Sequence, residues 1–383
     1  MNILFLVSSS GHYGIENMLL ALASNLQTLG YRCVLGVFRD ARVPHTEIAA
    51  AAEQSGLTVE IVDCNGRIDQ IAVKQIRHLF RKHEIDVVHP HGYKADLYAY
   101  AAAMNHGVAL IATAHNWPSR LWNMRMYAAL DRLVLRRFHG VVAVSDVVYR
   151  RLLRWGVPVD KLSLIYNGVD VAQFQDAEPS LRREFDSDRT LVGFVGRLVP
   201  DKGGAYLLRA AQKVLAVRPD TQFVFVGEGP SRTDWQGLAS KLGIADNVVF
   251  TGKRNDMPGV YASLDMLVLP SLVESLPMCI LEAMAASKPV IATEVGAIPQ
   301  LVVPQRTGLL VKAGDVEGLT RAILQLLHDP NSTQEMGQNA FARVRQDFSA
   351  HAMAKAYIRR YQTIMTGRIT AMRSRIQTEG ISS

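Results

Sequence analysis

The chain has 383 residues, of which 49% are hydrophobic and 20% charged, so it can bury the cores of two globular domains and is neither disordered nor low-complexity. Its formal net charge of +7 favours an acidic partner such as a nucleotide, a nucleic acid or an anionic lipid. Three widely separated cysteines (Cys33, Cys64 and Cys279) exclude a disulfide framework and a zinc ribbon, and they indicate a reducing compartment.

The first half of the chain alternates short apolar runs with longer segments of helical period. We predict strands at 3–7, 32–38, 59–62, 87–89, 110–114 and 141–144, and helices at 14–29, 68–82, 95–104 and 125–138. Strands that are buried on both faces and joined by helices form a parallel sheet, so we expect one doubly wound α/β domain. The run at 3–7 is too short for a signal peptide, and no run reaches the roughly 18 apolar residues of a membrane span.

The second half repeats this alternation after a polar segment that contains Pro179. We predict strands at 191–195, 222–226, 248–250, 266–269, 290–292 and 308–311, helices at 204–217, 234–242, 281–286 and 316–327, and a wholly helical stretch at 333–378. The expected organisation is a first α/β domain over 1–170, a linker over 171–189, a second α/β domain over 190–350 and a C-terminal helical segment over 351–383. The default binding site is the cleft between the domains.

Two cations flank a glycine-rich turn at the start of the second domain. The first strand of that domain ends at Gly196 and the next helix begins near Gly204, so Arg197 and Lys202 follow the carboxyl end of a central strand, where α/β folds bind ligands. Two cations beside a helix N-terminus suit a pyrophosphate. A solvated basic loop is the alternative interpretation.

Two glutamates, Glu274 and Glu282, stand eight positions apart in a loop and in the helix that follows it. Glu282 could accept hydrogen bonds from ribose hydroxyls. Glu274, together with the backbone amides of 275–278, could hold the hydroxyls of a sugar. The alternative is a surface glutamate next to a second one at a helix terminus.

Further motifs accompany these residues in a fixed order. The second domain contains Gly196-Arg-Leu, Lys202-Gly, Gly227-Glu-Gly-Pro, the pair Glu274 and Glu282, and Lys288-Pro-Val-Ile-Ala-Thr, while the first half contains Val144-Ser-Asp and Tyr166-Asn-Gly-Val-Asp. In this order they resemble the retaining glycosyltransferases of family 4 (glycosyl transferases group 1). The resemblance implies the GT-B fold, in which two Rossmann-like doubly wound domains face a cleft and a C-terminal helix crosses back to the first domain.

The resemblance also implies roles for individual residues. Arg197 and Lys202 would bind the donor diphosphate, Glu282 the ribose and Glu274 the donor sugar. No metal or other cofactor is implied, because the two cations neutralise the leaving group. The further donor-binding residues that it implies are Gly14, Ser275, Leu276, Pro277 and Met278.

The first domain supplies a turn between its first strand and first helix, which contains Gly11, His12 and Tyr13. The resemblance places this turn on the acceptor side, and Tyr13 stands where family members commonly have the first of two adjacent glycines. His115 follows a predicted strand and by resemblance contacts the donor sugar, which makes it a catalytic residue beside Glu274, Arg197 and Lys202. A buried histidine with a structural role is the alternative.

Neither of two other patterns indicates a metal site. His89 and His91 flank a proline after a strand, but no carboxylate or thiol ligands lie nearby in the sequence. Asp186 and Asp188 form the Asp-x-Asp pattern of a different, metal-dependent transferase fold. They lie in the linker before a strand, so we interpret them as solvated.

A basic stretch over 117–154 contains no lysine and only two acidic residues, Asp131 and Asp146. Aromatic side chains at Trp117, Trp122 and Phe138 are interleaved with its arginines. This pattern suits an anionic membrane surface, with an ordinary solvated helix face as the alternative, and no nucleic-acid motif accompanies it. Its arginines are Arg120, Arg125, Arg132, Arg136, Arg137, Arg150, Arg151 and Arg154.

The sequence therefore predicts retaining transfer of a hexosyl unit from a nucleotide sugar, with UDP favoured, to a hydroxyl acceptor. That acceptor would be lipid-linked or a glycan, and the enzyme would be cytoplasmic or peripheral at the inner face of a membrane. The alternative is a GT-B sugar-nucleotide epimerase, which shares the fold and needs no acceptor. A Rossmann dehydrogenase is a second alternative that lacks support, because 8–14 has no Gly-x-Gly-x-x-Gly fingerprint and no acidic residue ends the second strand in the expected way.

Overall fold

A computed structural model describes residues 1–8, 14–40, 46–65, 69–115, 122–185 and 189–379, with the backbone alone at 122–128, 369 and 371–379. The chain forms two compact units. Unit 1 contains Met1–Asn167 and Ala350–Ser383, and unit 2 contains Gly168–Ser349.

Unit 1 is built on a seven-stranded parallel sheet in the order β3-β2-β1-β4-β5-β6-β7. This doubly wound order confirms the first predicted α/β domain. The short edge strand β7 was not predicted, because three residues are too few to show a period. The strands are β1 (Asn2–Val7), β2 (Arg32–Arg39), β3 (Thr58–Asp63), β4 (Val87–His91), β5 (Ala109–Ala114), β6 (Gly140–Ala143) and β7 (Leu162–Leu164).

Helices connect these strands in the manner of βαβ units. The central strands β4 and β5 are buried along their whole length, as the apolar runs predicted. The helices of unit 1 are α1 (Gly14–Thr28), α2 (Glu47–Gln54), α3 (Gln70–Lys82), α4 (Tyr93–Ala103), α5 (Trp122–Leu135), α6 (Asp146–Arg154) and, far later in the chain, α15 (Ala350–Glu379).

Unit 2 has a six-stranded parallel sheet in the order β10-β9-β8-β11-β12-β13, again doubly wound. Its strands are β8 (Thr190–Val195), β9 (Thr221–Val226), β10 (Val248–Gly252), β11 (Met266–Leu269), β12 (Val290–Thr293) and β13 (Gly308–Val311). Its helices are α7 (Ala172–Gln175), α8 (Gly204–Leu215), α9 (Arg232–Lys241), α10 (Met257–Ser263), α11 (Met278–Ala285), α12 (Ile298–Leu301), α13 (Val316–His328) and α14 (Pro330–Asp347).

The segment 171–189, expected to be a linker, contributes to the core of unit 2 where the structure describes it. It contains α7 and a short 3₁₀ turn, Leu181–Arg183. Phe174 and Leu181 are buried, and Ser180 N donates to the carbonyl of Gly259 at 3.1 Å. Helix α7 and the 3₁₀ turn of this segment therefore pack against α10.

The helical stretch predicted at 333–378 is broken into α14 and α15 at Phe348 and Ser349. The carbonyl of Phe348 accepts a hydrogen bond from Val169 N at 2.9 Å, so a residue distant in sequence takes the place of a helical partner. No proline or glycine marks this break in the sequence.

Helix α15 packs on unit 1, which confirms the expected return of the C-terminal helix to the first domain. Tyr357 and Tyr361 are fully buried. Ile364 lies so close to Gly140 that a Cβ there would overlap its side chain. Arg360 Nη2 donates to the carbonyl of Lys161 at 2.6 Å.

Candidate functional site

In unit 2 the strand order reverses between β8 and β11, which are neighbours in the sheet. Ligands of open α/β sheets bind at such a switch point, beyond the carboxyl ends of the two strands. The loops that follow these strands are joined there, because Leu272 N donates to the carbonyl of Asp201 at 2.8 Å. Gly203, with φ of 74°, allows this approach, since a Cβ at that position would overlap the carbonyl of Pro270.

The two loops bring together two of the predicted site residues. Lys202 Nζ lies 2.5 Å from Glu274 Oε1 in an ion pair, and Ser271 Oγ donates to the same oxygen at 2.7 Å. The Glu274 side chain is only 7% exposed and that of Lys202 22%, so the pair is largely shielded from water. Ser271 is a partner that the sequence did not reveal, because a serine in a loop has no distinguishing spacing.

Arg197 lies on the same loop as Lys202, directly after β8, and its side chain is exposed. Within the described ranges no carboxylate forms an ion pair with it. Arg197 and Lys202 therefore follow one central strand, as predicted, with the first cation open to solvent and the second held by Glu274.

The residues between Glu274 and α11 line the start of that helix. Ser275 is half-buried, and its carbonyl accepts a hydrogen bond from Ala297 N at 2.9 Å. No side chain caps the first turn of α11, a condition that suits an incoming anion. Buried side chains in this segment are those of Leu276, Pro277 and Met278.

Glu282 lies in the second turn of α11 and is 8% exposed. The hydroxyl of Tyr261, from α10, donates to its Oε2 at 2.6 Å. Burial raises the pKa of the Glu282 carboxyl, and the Tyr261 hydrogen bond acts in the opposite direction. Tyr261 was missed by the sequence analysis, because its contact with α11 exists only in the folded unit.

Cys279 lies in the first turn of α11. Burial raises the pKa of its thiol to about 12, and the charges of Lys202, Glu274 and Glu282 all act on it. The thiol is neutral at pH 7, so it is not an activated nucleophile.

In unit 1, His115 follows β5 and lies beside His91, which ends β4. His91 Nδ1 and His115 Nε2 are hydrogen-bonded at 3.2 Å, and their rings stack with centroids 5.4 Å apart. Burial lowers the pKa of His115 to about 4, so the imidazole is neutral at pH 7. It can exchange hydrogen bonds with a sugar hydroxyl but adds no positive charge.

The remaining predicted residues of unit 1 belong to the turn before α1. Gly14 is the first residue of that helix. Gly11, His12 and Tyr13 lie outside the described residues, as do Asp186 and Asp188. Their predicted roles stay predictions.

A series of buried hydrogen bonds connects β4 and β5, which lead to these two histidines, with helix α15. His89 shares bonds of 2.7 Å with the Tyr361 hydroxyl through Nδ1 and with the Thr113 hydroxyl through Nε2. Thr113 in turn shares a bond of 2.8 Å with the Tyr357 hydroxyl. Helix α15 is thus bonded to β4 and β5 at the strand ends that lead to His91 and His115. These hydrogen bonds could not be predicted from the sequence, since the tyrosines are far from the histidines along it.

These histidines should make the protein acid-sensitive. Burial lowers the pKa of His89 to about 3, far below its value in an unfolded chain, so the unfolded state binds protons first as the pH falls. Between pH 7 and pH 5 each such histidine should cost about 2 kcal/mol of unfolding free energy. We expect His89→Asn to reduce the pH dependence of urea unfolding by about that amount, despite a lower stability at pH 7.

The exposed His78 provides the control for this measurement. A His78→Asn variant should keep the wild-type dependence on pH. Equal pH dependence in the His89 variant and the wild type would contradict the assignment of His89 as a buried neutral base.

A basic surface of unit 1, formed by α5, α6 and the loop 155–159, carries the described part of the predicted arginine stretch. Arg132 Cζ lies 4.3 Å from the centroid of the Trp155 ring. Leu133 and Val159 are 60% and 65% exposed beside it. A groove of about 510 Å³ on this surface is lined by Tyr100, Leu133, Val134, Arg136, Arg137 and Pro158.

Part of the predicted stretch is not described: Trp117 and Arg120 lie outside the described residues, and at Trp122, Arg125 and Tyr127 only the backbone is given. None of the helices in the described part of the chain is both long and apolar enough to cross a membrane. Over the same residues, no group of three His, Cys, Asp or Glu side chains is placed to hold a metal ion.

Both halves of the chain match models of known protein families. The model of the family described as Glycosyltransferase Family 4 matches residues 13–173, and that of Glycosyl transferases group 1 matches residues 178–343. The chain is 29% identical over 308 residues to the alpha-maltose-1-phosphate synthase of Mycolicibacterium smegmatis, covering 73% of this chain and 79% of that protein. It is 32% identical over 251 residues to the lipopolysaccharide core biosynthesis mannosyltransferase LpcC of Rhizobium leguminosarum bv. viciae, covering 63% and 69%.

A solved structure shares the fold over almost the whole chain. HepE of Anabaena, in complex with UDP-glucose, superposes with a TM-score of 0.82 at 22% sequence identity. The superposition covers 95% of this chain and all of that one.

Proposed function

The chain belongs to glycosyltransferase family 4, and from that membership we propose that it is a retaining, metal-independent hexosyltransferase acting on a nucleoside-diphosphate sugar. Its two doubly wound units, with α15 returned to the first, form the GT-B fold. The observation that carries the proposal is the arrangement at the β8–β11 switch point, where Lys202 pairs with Glu274 and the loop after β8 also carries the exposed Arg197.

In the proposed reaction the bond between the anomeric carbon and the diphosphate breaks, and a new bond forms on the same face to the acceptor oxygen. The diphosphate gains negative charge as it leaves. Arg197, Lys202 and the first turn of α11 would stabilise that charge. The proton of the acceptor hydroxyl would pass to an oxygen of the departing phosphate, which guides the attack.

The contacts of the two carboxylates near the switch point agree with this mechanism. Glu274 is paired with Lys202 and accepts from Ser271, and Glu282 accepts from Tyr261. Neither therefore has the free acid or base role that a glycosidase requires of its carboxyl pair. In the proposal Glu274 binds the donor sugar and Glu282 the ribose. The backbone amides of 275–278 contribute on the donor side, the neutral imidazole of His115 contacts the sugar, and the turn at 11–13 serves the acceptor.

We further propose that the acceptor is lipid-linked or a glycan and that the basic surface of unit 1 meets an anionic membrane. Arginines and exposed apolar side chains share this surface, a composition typical of peripheral membrane binding. The relative LpcC is named for lipopolysaccharide core biosynthesis, which agrees with such an acceptor. An inner-face location follows from this proposal.

A donor screen tests the function directly. The purified protein is incubated with UDP- and GDP-linked hexoses, with and without a hydroxyl acceptor, and the products are separated. We expect a glycoside with retained anomeric configuration from one donor, UDP-linked by preference. A new sugar-nucleotide isomer formed without acceptor would instead identify an epimerase.

Alanine substitutions of the two glutamates should change different kinetic constants. Glu282→Ala removes a ribose contact made in both ground and transition states, so it should mainly raise the donor KM. Glu274→Ala removes a contact to the reacting sugar and should lower kcat by about 10²-fold. Steady-state kinetics with varied donor distinguishes the two effects.

Glutamine variants at the same positions provide the controls. Because they keep the side-chain volume while removing the charge, they show whether an effect of alanine comes from the lost charge or from the lost volume. If both alanine variants retained wild-type KM and kcat, the assignment of the two glutamates to the donor would be wrong.

A further inference from the structure

The partner of Glu282 inside the protein is an uncharged phenol. Tyr261 is fully buried, and its hydroxyl donates to Glu282 Oε2 at 2.6 Å. Glu282 Oε1 has no hydrogen-bond partner among the described residues and keeps access to solvent. One oxygen of the carboxylate is thus occupied by the protein while the other is open.

The Tyr261 ring is fixed by its surroundings. It lies in α10, and the ring of Phe174 meets it edge-on with centroids 5.8 Å apart. Phe174 belongs to α7, in the segment packed against α10. Because the ring cannot reorient without disturbing this packing, its hydroxyl holds Glu282 in one rotamer.

Burial and the hydrogen bond from Tyr261 act on the charge of Glu282 in opposite directions, and burial has the larger effect on its pKa. Burial raises the pKa of Glu282, and the hydrogen bond from Tyr261 lowers it. Burial also raises the pKa of the Tyr261 hydroxyl, and the nearby Glu282 charge raises it further. The phenol therefore keeps its proton and remains a donor, and its hydrogen bond offsets part of the cost of burying the carboxylate charge.

We propose that Tyr261 is a positioning residue that makes the nucleotide site selective for ribose. It holds Glu282 through Oε2 and leaves Oε1 without a partner among the described residues, so that both hydroxyls of a ribose can donate to that oxygen. A 2′,3′-dideoxyribose lacks both donors and would leave the partly buried Oε1 without partners. This inference rests on the proposed assignment of Glu282 to the ribose.

Nucleotide binding by the full chain tests the inference. Calorimetry compares UDP with 2′,3′-dideoxy-UDP, or the guanosine pair if the wild type binds GDP more tightly. The wild type should prefer the ribonucleotide, and Tyr261→Phe should bind it about tenfold more weakly while binding the dideoxy compound nearly as before. Glu282→Gln should lose the same preference, and adding Tyr261→Phe to it should cost little more.

A pH series separates positioning from a purely structural role. Without the Tyr261 hydrogen bond, Glu282 should take up a proton at a higher pH, so ribonucleotide affinity should begin to fall at a higher pH in Tyr261→Phe than in the wild type. Tyr98→Phe is the matched control, because the Tyr98 hydroxyl is also bonded inside the protein but belongs to unit 1. That variant should retain both the ribose preference and the pH profile.

The outcomes are distinct. An unchanged ribose preference and pH profile in Tyr261→Phe would overturn this inference and leave the proposed function standing. A wild type that binds neither UDP nor GDP would overturn the proposed function, and this inference with it.

Discussion

Replacing Arg197 by alanine should lower kcat by about 10²-fold or more, because a cation aimed at a leaving diphosphate acts mainly in the transition state. The Arg197 side chain is exposed and lies outside the core of unit 2, so its removal should leave the thermal midpoint unchanged. Steady-state kinetics with saturating donor measures the effect. Arg209→Ala, an exposed arginine in α8, is the matched control and should retain wild-type turnover.

Lys202→Ala should lower kcat by a similar factor, about 10²-fold or more, but for two reasons. It removes a cation from the diphosphate site, and it leaves the largely buried Glu274 carboxylate unpaired. The Lys202→Ala, Glu274→Gln double variant separates these causes, since it removes the buried charge as well. We expect it to recover thermal stability without recovering turnover.

If Arg197 and Lys202 neutralise the leaving diphosphate, EDTA and added divalent cations should leave wild-type activity nearly unchanged. A strict requirement for a divalent metal would contradict the two-cation mechanism, as would wild-type turnover in both alanine variants.

Reversing Arg132, Arg136 and Arg137 to Glu should release the protein from anionic vesicles. Each arginine near an anionic surface contributes about 1 kcal/mol, so removing three weakens binding by at least roughly 10²-fold. Flotation with liposomes of increasing phosphatidylserine content should show wild-type binding that rises with anionic lipid and falls with salt. Transfer to a soluble acceptor analogue should be largely retained.

A charge-matched control is available in unit 2. Reversing the exposed Arg209, Arg306 and Arg321 to Glu changes the net charge equally but leaves the basic surface intact, so vesicle binding should decline only slightly. Because Arg132 also packs on Trp155, thermal unfolding must show that the unit 1 variant is folded. Equal vesicle binding by the two triple variants would mean that the surface is an ordinary solvated face and would favour a soluble acceptor.

The sequence predicted the sheets well, because strands buried on both faces carry continuous apolar runs. It missed the three-residue strand β7 and several short helices: α2, which is rich in alanine, α6, α7, α10 and α12. It also joined α14 to α15, since the hydrogen bond from Val169 to Phe348 that separates them is formed by residues far apart along the chain. Local patterns thus identify elements whose apolar residues recur regularly. They fail where a residue that is distant in sequence determines the boundary of an element.

The candidate site divides in the same way. Arg197, Lys202 and Glu274 follow strand ends, so the topology of a parallel sheet was enough to predict that they lie near one another. The contacts that hold the functional groups could not be predicted from spacing. Tyr261 lies in α10, a helix that the sequence did not predict, and only the packing of α10 on α11 makes its hydroxyl a partner of Glu282.

The late return of α15 has a consequence for biosynthesis. A ribosome delivers residues 1–167 first, then all of unit 2, and only then the helix that completes unit 1. Until that helix leaves the exit tunnel, His89 and Thr113 lack the hydroxyls of Tyr361 and Tyr357, and the strand ends they belong to stay uncovered. Unit 2 is one continuous segment and can close its core while the nascent chain is still tethered. The unit that is synthesised first is therefore the one that finishes folding last.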